Sequence, residues 1–169
     1  GFTDTNVKVG NTALDSLTTG TSNTAVGDVA LTANTTGAYN TAVGRQALDA
    51  NTTADSNTGV GFRALTSNTT GASNTALGLN SLFTNTTASN NVAIGQGALY
   101  TSNAADNVAV GYNALYDNST GYSNVAIGKD SLEENTTGAN NTAVGKGSLE
   151  ENTTAEQNTA VGSGALANT

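Results

Sequence analysis

The chain has 169 residues, a formal net charge of −8, and no cysteine, histidine, methionine, tryptophan or proline. The absence of cysteine excludes a disulfide framework, a thiolate zinc site and a cysteine nucleophile, and the absence of histidine removes the usual general base and metal ligand near neutral pH. Five lysines and arginines against thirteen acidic residues argue against binding to a phosphate backbone, and no apolar run is long enough to span a membrane.

Asn and Thr make up about a third of the chain, and only 11% of the residues are charged. A composition this biased is typical of either a disordered tract or a repeat architecture. Disorder usually goes with high charge and few aliphatic residues, whereas Val, Ile, Leu and Thr recur here at fixed places. The composition therefore favours an ordered repeat protein.

One unit of seventeen amino acids repeats along the whole chain, with the consensus N-T-A-V-G-x-x-A-L-x-x-N-T-T-G-x-x. Positions are counted from the opening Asn as position 0. Every unit has this length except the one between Asn91 and Asn107, which is shorter by one, and the tenth, which is cut off at Thr169. The sequence therefore predicts a single domain over residues 1–169. Its ten units begin at Asn6, Asn23, Asn40, Asn57, Asn74, Asn91, Asn107, Asn124, Asn141 and Asn158.

Four positions hold the same kind of residue in every unit: Asn at 0, an aliphatic residue at 3, Gly at 4 and Leu at 8. If the units stack, these residues form ladders. The predicted ladder residues include Val26, Val43, Val60, Gly27, Gly44, Gly61, Leu31, Leu48, Leu65, Asn23, Asn40 and Asn57. The opening Asn is predicted to form side-chain amide bonds along the stack; the alternative is that it only caps a turn.

A unit of this length is too short for the two helices of a helical repeat, so each unit is predicted to form one rung of an all-β parallel solenoid. The segment T-A-V-G, or V-A-I-G, indicates a short strand. N-T-T-G indicates a turn in which Asn and Gly supply capping and positive φ, and A-L is predicted to lie on a second short extended piece. At about 4.8 Å per rung, ten rungs give a rod of roughly 45–50 Å.

The predicted strand is apolar or small on both faces. Side chains alternate along a strand, so positions 1 and 3 point one way and positions 2 and 4 the other, and only Lys8 brings a charge to either face. Strands of this kind are usually covered on both sides. This predicts that another copy of the chain covers the outer side; the alternative is one wider coil with an exposed Thr-rich face.

The segments N-V-A-I-G at Asn91–Gly95 and Asn124–Gly128 resemble the S-V-A-I-G-x-x-A core of trimeric autotransporter adhesin heads. The whole unit is similar to the N-T-A-x-G-x-x-A-L-x-x-N-T-T-G repeats of bacterial and phage tail-fibre-domain proteins. The resemblance implies a left-handed β-roll of three chains, displayed on a surface. The adhesin unit is shorter than this one, a difference that we expect in the N-T-T-G turn. The resemblance covers nearly the whole chain and indicates an architecture, not a ligand.

Aromatic residues are the candidates for a ligand or partner surface. Phe83, Tyr100 and Tyr116 occupy position 9 of three consecutive units, and Phe62 and Tyr112 occupy position 5. Stacked aromatic side chains could hold a sugar or a partner protein, or they could stack only to cover one another.

Two acidic pairs, Glu133 with Glu134 and Glu150 with Glu151, lie on adjacent units. A cation such as Ca²⁺ could relieve their repulsion, and so could the lysine that precedes each pair. A solvated acidic face is the interpretation adopted here, and no metal or cofactor is expected. Because nothing in the sequence builds a pocket for acid–base chemistry, no enzyme activity is expected.

The first unit departs from the consensus, with Lys8 at position 2 and Leu17 at position 11. Together with Phe2, these residues are predicted to form a modest end cap. The other end has no comparable cap, and an uncapped solenoid invites strand pairing. We therefore expect further chain in the native protein, or end-to-end contacts.

These features predict a stiff spacer and display surface in an extracellular fibre or adhesin shaft, on a cell surface or a phage or virion fibre. The expected partner is the chain itself, as a homotrimer or filament. A host-surface glycan or protein is a further candidate, while nucleic acid and membrane insertion are not expected. The alternative function is a binding module, either for glycans on the aromatic residues or for ice on the Thr rank of Thr35, Thr52, Thr69 and Thr86, which is broken at Asn103 and Ser119.

Overall fold

The computed structural model describes residues 5–168, which form one sheet of ten parallel strands in chain order. Turns and bends separate the strands, and the predicted β-solenoid is confirmed. In this range no helix has both the length and the apolar character of a membrane span, and Phe2 of the predicted end cap lies outside it. The strands are β1 (Val7–Val9), β2 (Thr24–Val26), β3 (Thr41–Val43), β4 (Thr58–Val60), β5 (Thr75–Leu77), β6 (Val92–Ile94), β7 (Val108–Val110), β8 (Val125–Ile127), β9 (Thr142–Val144) and β10 (Thr159–Val161).

Neighbouring strands pair in the register that the repeat predicts. Val26 on β2 faces Val43 on β3, one full unit later, and Val92 on β6 faces Val108 on β7 across the shorter unit. Backbone hydrogen bonds also join the rungs outside the strands; for example, the Leu31 N–H donates to the Ala47 carbonyl at 3.1 Å. The backbone is therefore paired from rung to rung along most of the coil, as buried peptide groups require.

The A-L segment is not the second extended piece that the sequence predicts. It lies within a run of turns, in which Arg63 and Leu65 both have a φ of 56°. A left-handed conformation costs an L-residue about 1–2 kcal/mol. Full burial of a Leu side chain contributes about 1.5–3 kcal/mol, which offsets that cost. The prediction was wrong because residue type alone gives no sign that a Leu adopts positive φ.

The N-T-T-G turn differs from the prediction too, because its Asn and Gly residues do not have the positive φ that the sequence predicts. Gly37 in the N-T-T-G turn is not left-handed, whereas Tyr39, just beyond it, has a φ of 61°. Gly44 at position 4 has a φ of 132°, and a Cβ there would lie 2.4 Å from the carbonyl oxygen of Gly61. A Cβ on Gly37 would lie 2.4 Å from the carbonyl oxygen of Ala54. Close approach of successive rungs therefore explains Gly44, whereas position 14 also accommodates Ala, as at Ala54 and Ala88.

The interior of the solenoid is narrow and contains small apolar and amide side chains. Ala25 at position 2, Ala30 at position 7 and Leu31 at position 8 are fully buried, as are their equivalents in most other rungs. From β2 to β10, the small face of the strand thus points inward, whereas β1 has the exposed Lys8 at position 2. The Thr, Val and Ile side chains at positions 1 and 3 point outward, where they are half-buried or exposed.

The opening Asn residues form one buried column, but their bonding differs from the predicted amide ladder. Asn23 Oδ1 accepts a hydrogen bond from the backbone N–H of Asn40 at 3.0 Å, and the same bond recurs along the stack up to Asn158. Bonds between two side-chain amides join Asn40 to Asn23 and Asn158 to Asn141, at 3.2 Å each. This column is therefore held mainly by bonds from backbone to side chain.

A second buried column, at position 11, forms the side-chain amide ladder. Asn51 Nδ2 donates to Asn34 Oδ1, and Asn68 Nδ2 to Asn51 Oδ1, both at 3.0 Å. The two columns share acceptors, because the Gly71 carbonyl receives hydrogen bonds from Asn57 Nδ2 and Asn68 Nδ2 at 2.8 Å each. Buried amides are costly unless they are paired, and this arrangement pairs them in the same way in successive rungs.

Both Asn columns lose hydrogen bonds at the shorter unit. Ser102 replaces Asn at position 11, and the turn that follows lacks one residue. Asn85 Oδ1, one rung before Ser102, and Asn91 Nδ2, in the short rung itself, are buried without a hydrogen-bond partner. A buried unpaired polar atom costs about 1–3 kcal/mol. The short rung is therefore a local weakness of the amide columns.

Replacing Ser102 by Asn should stabilise the protein, because the new Nδ2 can donate to Asn85 Oδ1 as in the other rungs. We expect the free energy of unfolding to rise by about 1 kcal/mol, measured by chemical denaturation. Ser102→Ala is the matched control and should lower stability, because the Ser102 hydroxyl accepts a hydrogen bond from Asn118 Nδ2 at 3.3 Å. A neutral or destabilising Ser102→Asn would show that the ladder does not limit stability here.

Candidate functional site

The aromatic residues at position 9 form one stacked column. The ring centroids of Phe83 and Tyr100 are 5.0 Å apart and those of Tyr100 and Tyr116 are 4.9 Å apart, with interplanar angles of 6° and 7°. All three side chains are half-buried. The rings therefore cover much of one another, and a ligand would reach their edges more readily than their faces.

The two aromatic residues at position 5 lie in different surroundings. Tyr112 is 46% exposed and lines a cavity with Tyr100 and Tyr116. Phe62 lies three rungs away, with the Arg63 and Arg45 guanidinium carbons 5.1 and 5.9 Å from its ring centroid. The structure thus groups four of the five predicted aromatic residues and leaves Phe62 in a separate cation–π cluster.

The cavity, called the Gly97 groove below, has a volume of about 180 Å³. Position 6 holds Asn80 and Asn113 in the rungs on either side, so Gly97 leaves a gap in a column of side chains. A Cβ on Gly97 would lie 2.6 Å from Asn113 Oδ1. Sequence reasoning missed this groove, although a Gly at position 6 beside the aromatic column was a visible signal. The groove is lined by Asn80, Gln96, Gly97, Tyr100, Tyr112, Asn113 and Tyr116.

Neutral polar groups dominate the groove, and an acidic side chain lies just outside it. Asn113 Nδ2 donates to Glu133 Oε1 at 3.0 Å. Burial raises the pKa of Glu133 above its ordinary value, with smaller contributions from Asp130 and Glu150, while the hydrogen bond from Asn113 opposes this rise. Burial, followed by neighbouring Tyr100, also raises the pKa of Tyr116, so this phenol is neutral and can donate a hydrogen bond at physiological pH.

Lys129 pairs with Asp130 rather than with the acidic pair that follows it, although its charge opposes the rise in the pKa of Glu133. Its Nζ forms an ion pair with Asp130 and lies 5.4 Å from the centroid of the Tyr112 ring. The hydrogen bond to Asp130 raises the pKa of Lys129. Glu134 and Glu151 are exposed to solvent. In the described part of the chain, no group of three or more acidic side chains is placed to hold a metal ion.

The predicted ladder residues lie in vertical columns on or inside the coil rather than at the groove. The position 3 column faces outward, whereas the Leu and opening Asn columns are buried. The Gly column lies where the chain leaves each strand. These columns are formed by Val26, Val43 and Val60; Leu31, Leu48 and Leu65; Asn23, Asn40 and Asn57; and Gly27, Gly44 and Gly61.

Comparisons of the chain with protein-family models, curated proteins and solved structures find no match. The function must therefore be inferred from the geometry of the solenoid and of the groove themselves.

Replacing Glu133 by Gln should change how stability depends on pH. Because burial raises the pKa of Glu133 above the ordinary value of 4.5, the folded state binds this proton more tightly than the unfolded state does. Glu133 thus makes stability fall as pH rises through that raised pKa. The Glu133→Gln substitution would remove this penalty and keep an acceptor for Asn113. We expect the variant to have a higher Tm than the wild type at pH 7 and an equal Tm near pH 3, below the ordinary range of Glu.

Glu134→Gln provides the control, because it removes the same charge from an exposed neighbouring side chain. Its Tm should follow that of the wild type across the same pH range. A Glu133→Gln protein that melts at or below the wild-type temperature at pH 7 would contradict the assignment.

Proposed function

We propose that this chain is a stiff segment of an extracellular fibre or adhesin shaft, which acts as a spacer and display surface. The observation that supports this most is the continuity of rung-to-rung bonding, through backbone hydrogen bonds in strands and turns and through two buried Asn columns. Each strand pairs only with its neighbours in the chain. The length of such a rod is therefore set by the number of rungs.

The extracellular location rests on the resemblance of the repeat to surface-displayed adhesin heads and tail fibres. The charge distribution is compatible with this use, because a net charge of −8 favours solubility. The buried side chains are Ala, Leu, Asn and Ser.

Insertion of a second copy of residues 23–90 tests the spacer function. This segment comprises four complete units, so the rod should lengthen by about 19 Å at about 4.8 Å per rung, with no change in its cross-section. Small-angle scattering of the parent and extended proteins measures both dimensions. A shorter gain, a wider particle or a flexible one would contradict a rigid rod built from equivalent rungs.

We further propose that the chain works as a homotrimer whose copies meet on the outer face of the sheet. Positions 1 and 3 carry only Thr and aliphatic residues from Val7 to Val161. On this face, Leu77 and Ile127 are 45% and 41% exposed. The charged residues beside the sheet lie at positions 5, 6 and 15. An uncharged centre with a polar rim is typical of an interface between protein chains.

Sedimentation of an Ile127→Lys variant tests this interface. Because Ile127 is part-exposed in the single chain, the lysine should leave each coil folded but disrupt its association, so we expect a mass of one chain where the wild type gives three. Thr70→Lys adds the same charge at an exposed turn and should leave the trimer intact. A monomeric wild type, or a trimeric Ile127→Lys variant, would contradict the proposed interface.

The alternative of an ice-binding Thr rank is less well supported by the geometry. The hydroxyls of this rank donate to backbone carbonyls of the next rung: Thr35 to Thr52 at 3.0 Å and Thr69 to Thr86 at 2.9 Å. Their hydrogens are therefore engaged within the protein. The adjacent Thr at position 13 is exposed, as at Thr36, but the residues at this position form a single row of hydroxyl groups.

A further inference from the structure

We propose that the Gly97 groove binds one neutral sugar ring of a glycan. This site goes beyond the spacer function and does not depend on it, because it belongs to three rungs of a single chain.

An unpaired acceptor in the groove is the first observation that points to a ligand. Side chains at position 6 can bond from rung to rung, as in Arg63 Nε donating to Gln46 Oε1 at 3.0 Å. Asn80 Oδ1 has no such donor, because Gly97 provides no side chain in the next rung. This oxygen is buried and without a hydrogen-bond partner. A ligand hydroxyl would supply the missing donor once the Asn80 side chain turns this oxygen toward the groove, which removes the cost of an unpaired buried acceptor.

The lining of the groove indicates the chemical class of the ligand. Tyr100, Tyr112 and Tyr116 contribute ring edges and phenol groups, and Gln96 and Asn113 contribute uncharged amides. The exposed lining is mainly polar, and its neutral donors and acceptors match the hydroxyl groups of a sugar. No charged side chain lines the groove, and Glu133 and Asp130 lie nearby, which disfavours an anion.

A cationic ligand is less well matched than a neutral one. Aromatic rings attract ammonium groups, but Lys129 Nζ already lies 5.4 Å from the centroid of the Tyr112 ring. The volume of about 180 Å³ is below that of typical drug-sized sites, which limits the ligand to about one ring and makes each site weak. Repetition of weak sites on an oligomeric fibre would raise the overall avidity without any new contact.

The position of the groove along the rod gives an independent reason for a function there. The groove, the aromatic column and the shorter unit with Ser102 all occur within the units that begin at Asn74, Asn91 and Asn107. Departures from an otherwise consistent pattern concentrate at functional sites. The regular rungs explain the rod, whereas these three rungs contain features that the rod does not need.

NMR titration of the isotope-labelled full chain tests the proposal. The probes are the methyl glycosides of glucose, galactose, mannose and N-acetylglucosamine, with tetramethylammonium and acetate as the cationic and anionic comparisons. We expect at least one neutral glycoside to bind, and its titration to shift the backbone amide signals of Gly97 and Asn113. Binding of tetramethylammonium or acetate in preference to every glycoside, or of none of the probes, overturns the assignment.

Two variants and one control locate the binding. Gly97→Asn fills the gap with the residue found at position 6 in both adjacent rungs, where Asn80 and Asn113 have φ of 54° and 51° against 69° for Gly97. This backbone therefore accepts Asn, and we expect affinity for the bound glycoside to fall at least about tenfold. Tyr112→Ala removes one wall and should have a similar effect. Tyr122→Ala removes a tyrosine that is 52% exposed outside the groove and should bind like the wild type.

Melting curves establish that each variant is folded before its affinity is compared. Unchanged affinity in both Gly97→Asn and Tyr112→Ala overturns the proposal, as does an equal loss in Tyr122→Ala. If Gly97→Asn melts at a lower temperature than the wild type, Tyr112→Ala alone decides the outcome, because the Tyr112 side chain is 46% exposed.

Discussion

The spacing that backbone hydrogen bonds impose between successive rungs is the constraint on which the rest of the molecule depends. At about 4.8 Å, each side chain lies against its equivalent in the next rung, so every position must hold a residue that packs against a copy of itself. Asn does this inside the coil because its amide has both donors and an acceptor. Gly44 does it where a Cβ would lie 2.4 Å from the next carbonyl oxygen. Like charges repel at this distance, and the acidic residues accordingly occur outside the framework positions.

The same constraint explains why the core contains amides. So short a coil encloses too little space for large apolar side chains beyond one Leu and two small residues per rung, so hydrophobic burial alone gives a core with little register specificity. The Asn columns supply that specificity, because a shift of one residue would place buried amides opposite apolar groups. The unit that begins at Asn91 illustrates this. It loses one residue in its turn, yet Asn107 N–H still bonds to Asn91 Oδ1 at 3.0 Å, so the deletion is confined to the turn.

Periodicity was sufficient to predict the rungs, the strands and their register, since each follows from stacking equal units. It was not sufficient for the path between strands. Leu65 adopts a left-handed φ that its residue type disfavours, and tertiary burial alone explains it. The position 11 amide ladder was predictable in principle, because Asn34, Asn51 and Asn68 recur at a fixed place, although Leu17 and Ser102 interrupt the column. Which of the two Asn columns bonds side chain to side chain depends on the distance to the nearest backbone N–H, which the sequence does not contain.

The aromatic column was found from sequence, but the groove beside it depends on a missing side chain at Gly97, which becomes visible only against Asn80 and Asn113.

The two proposals use different parts of the coil. The outer face of the sheet, at positions 1 and 3, is uncharged and uniform along the rod, so it can meet copies of itself at any rung. The groove depends on positions 6 and 9, where the residues differ from unit to unit. A contact between chains through the uniform face would therefore leave the variable positions free to differ, and in a three-fold assembly each groove would recur at the same height on three sides. The repeated residues thus form the framework of the rod, while residues that vary at positions 6 and 9 form a local site. A groove of this size could bind only weakly by itself, and symmetric display is the physical means by which it would bind a multivalent glycan firmly.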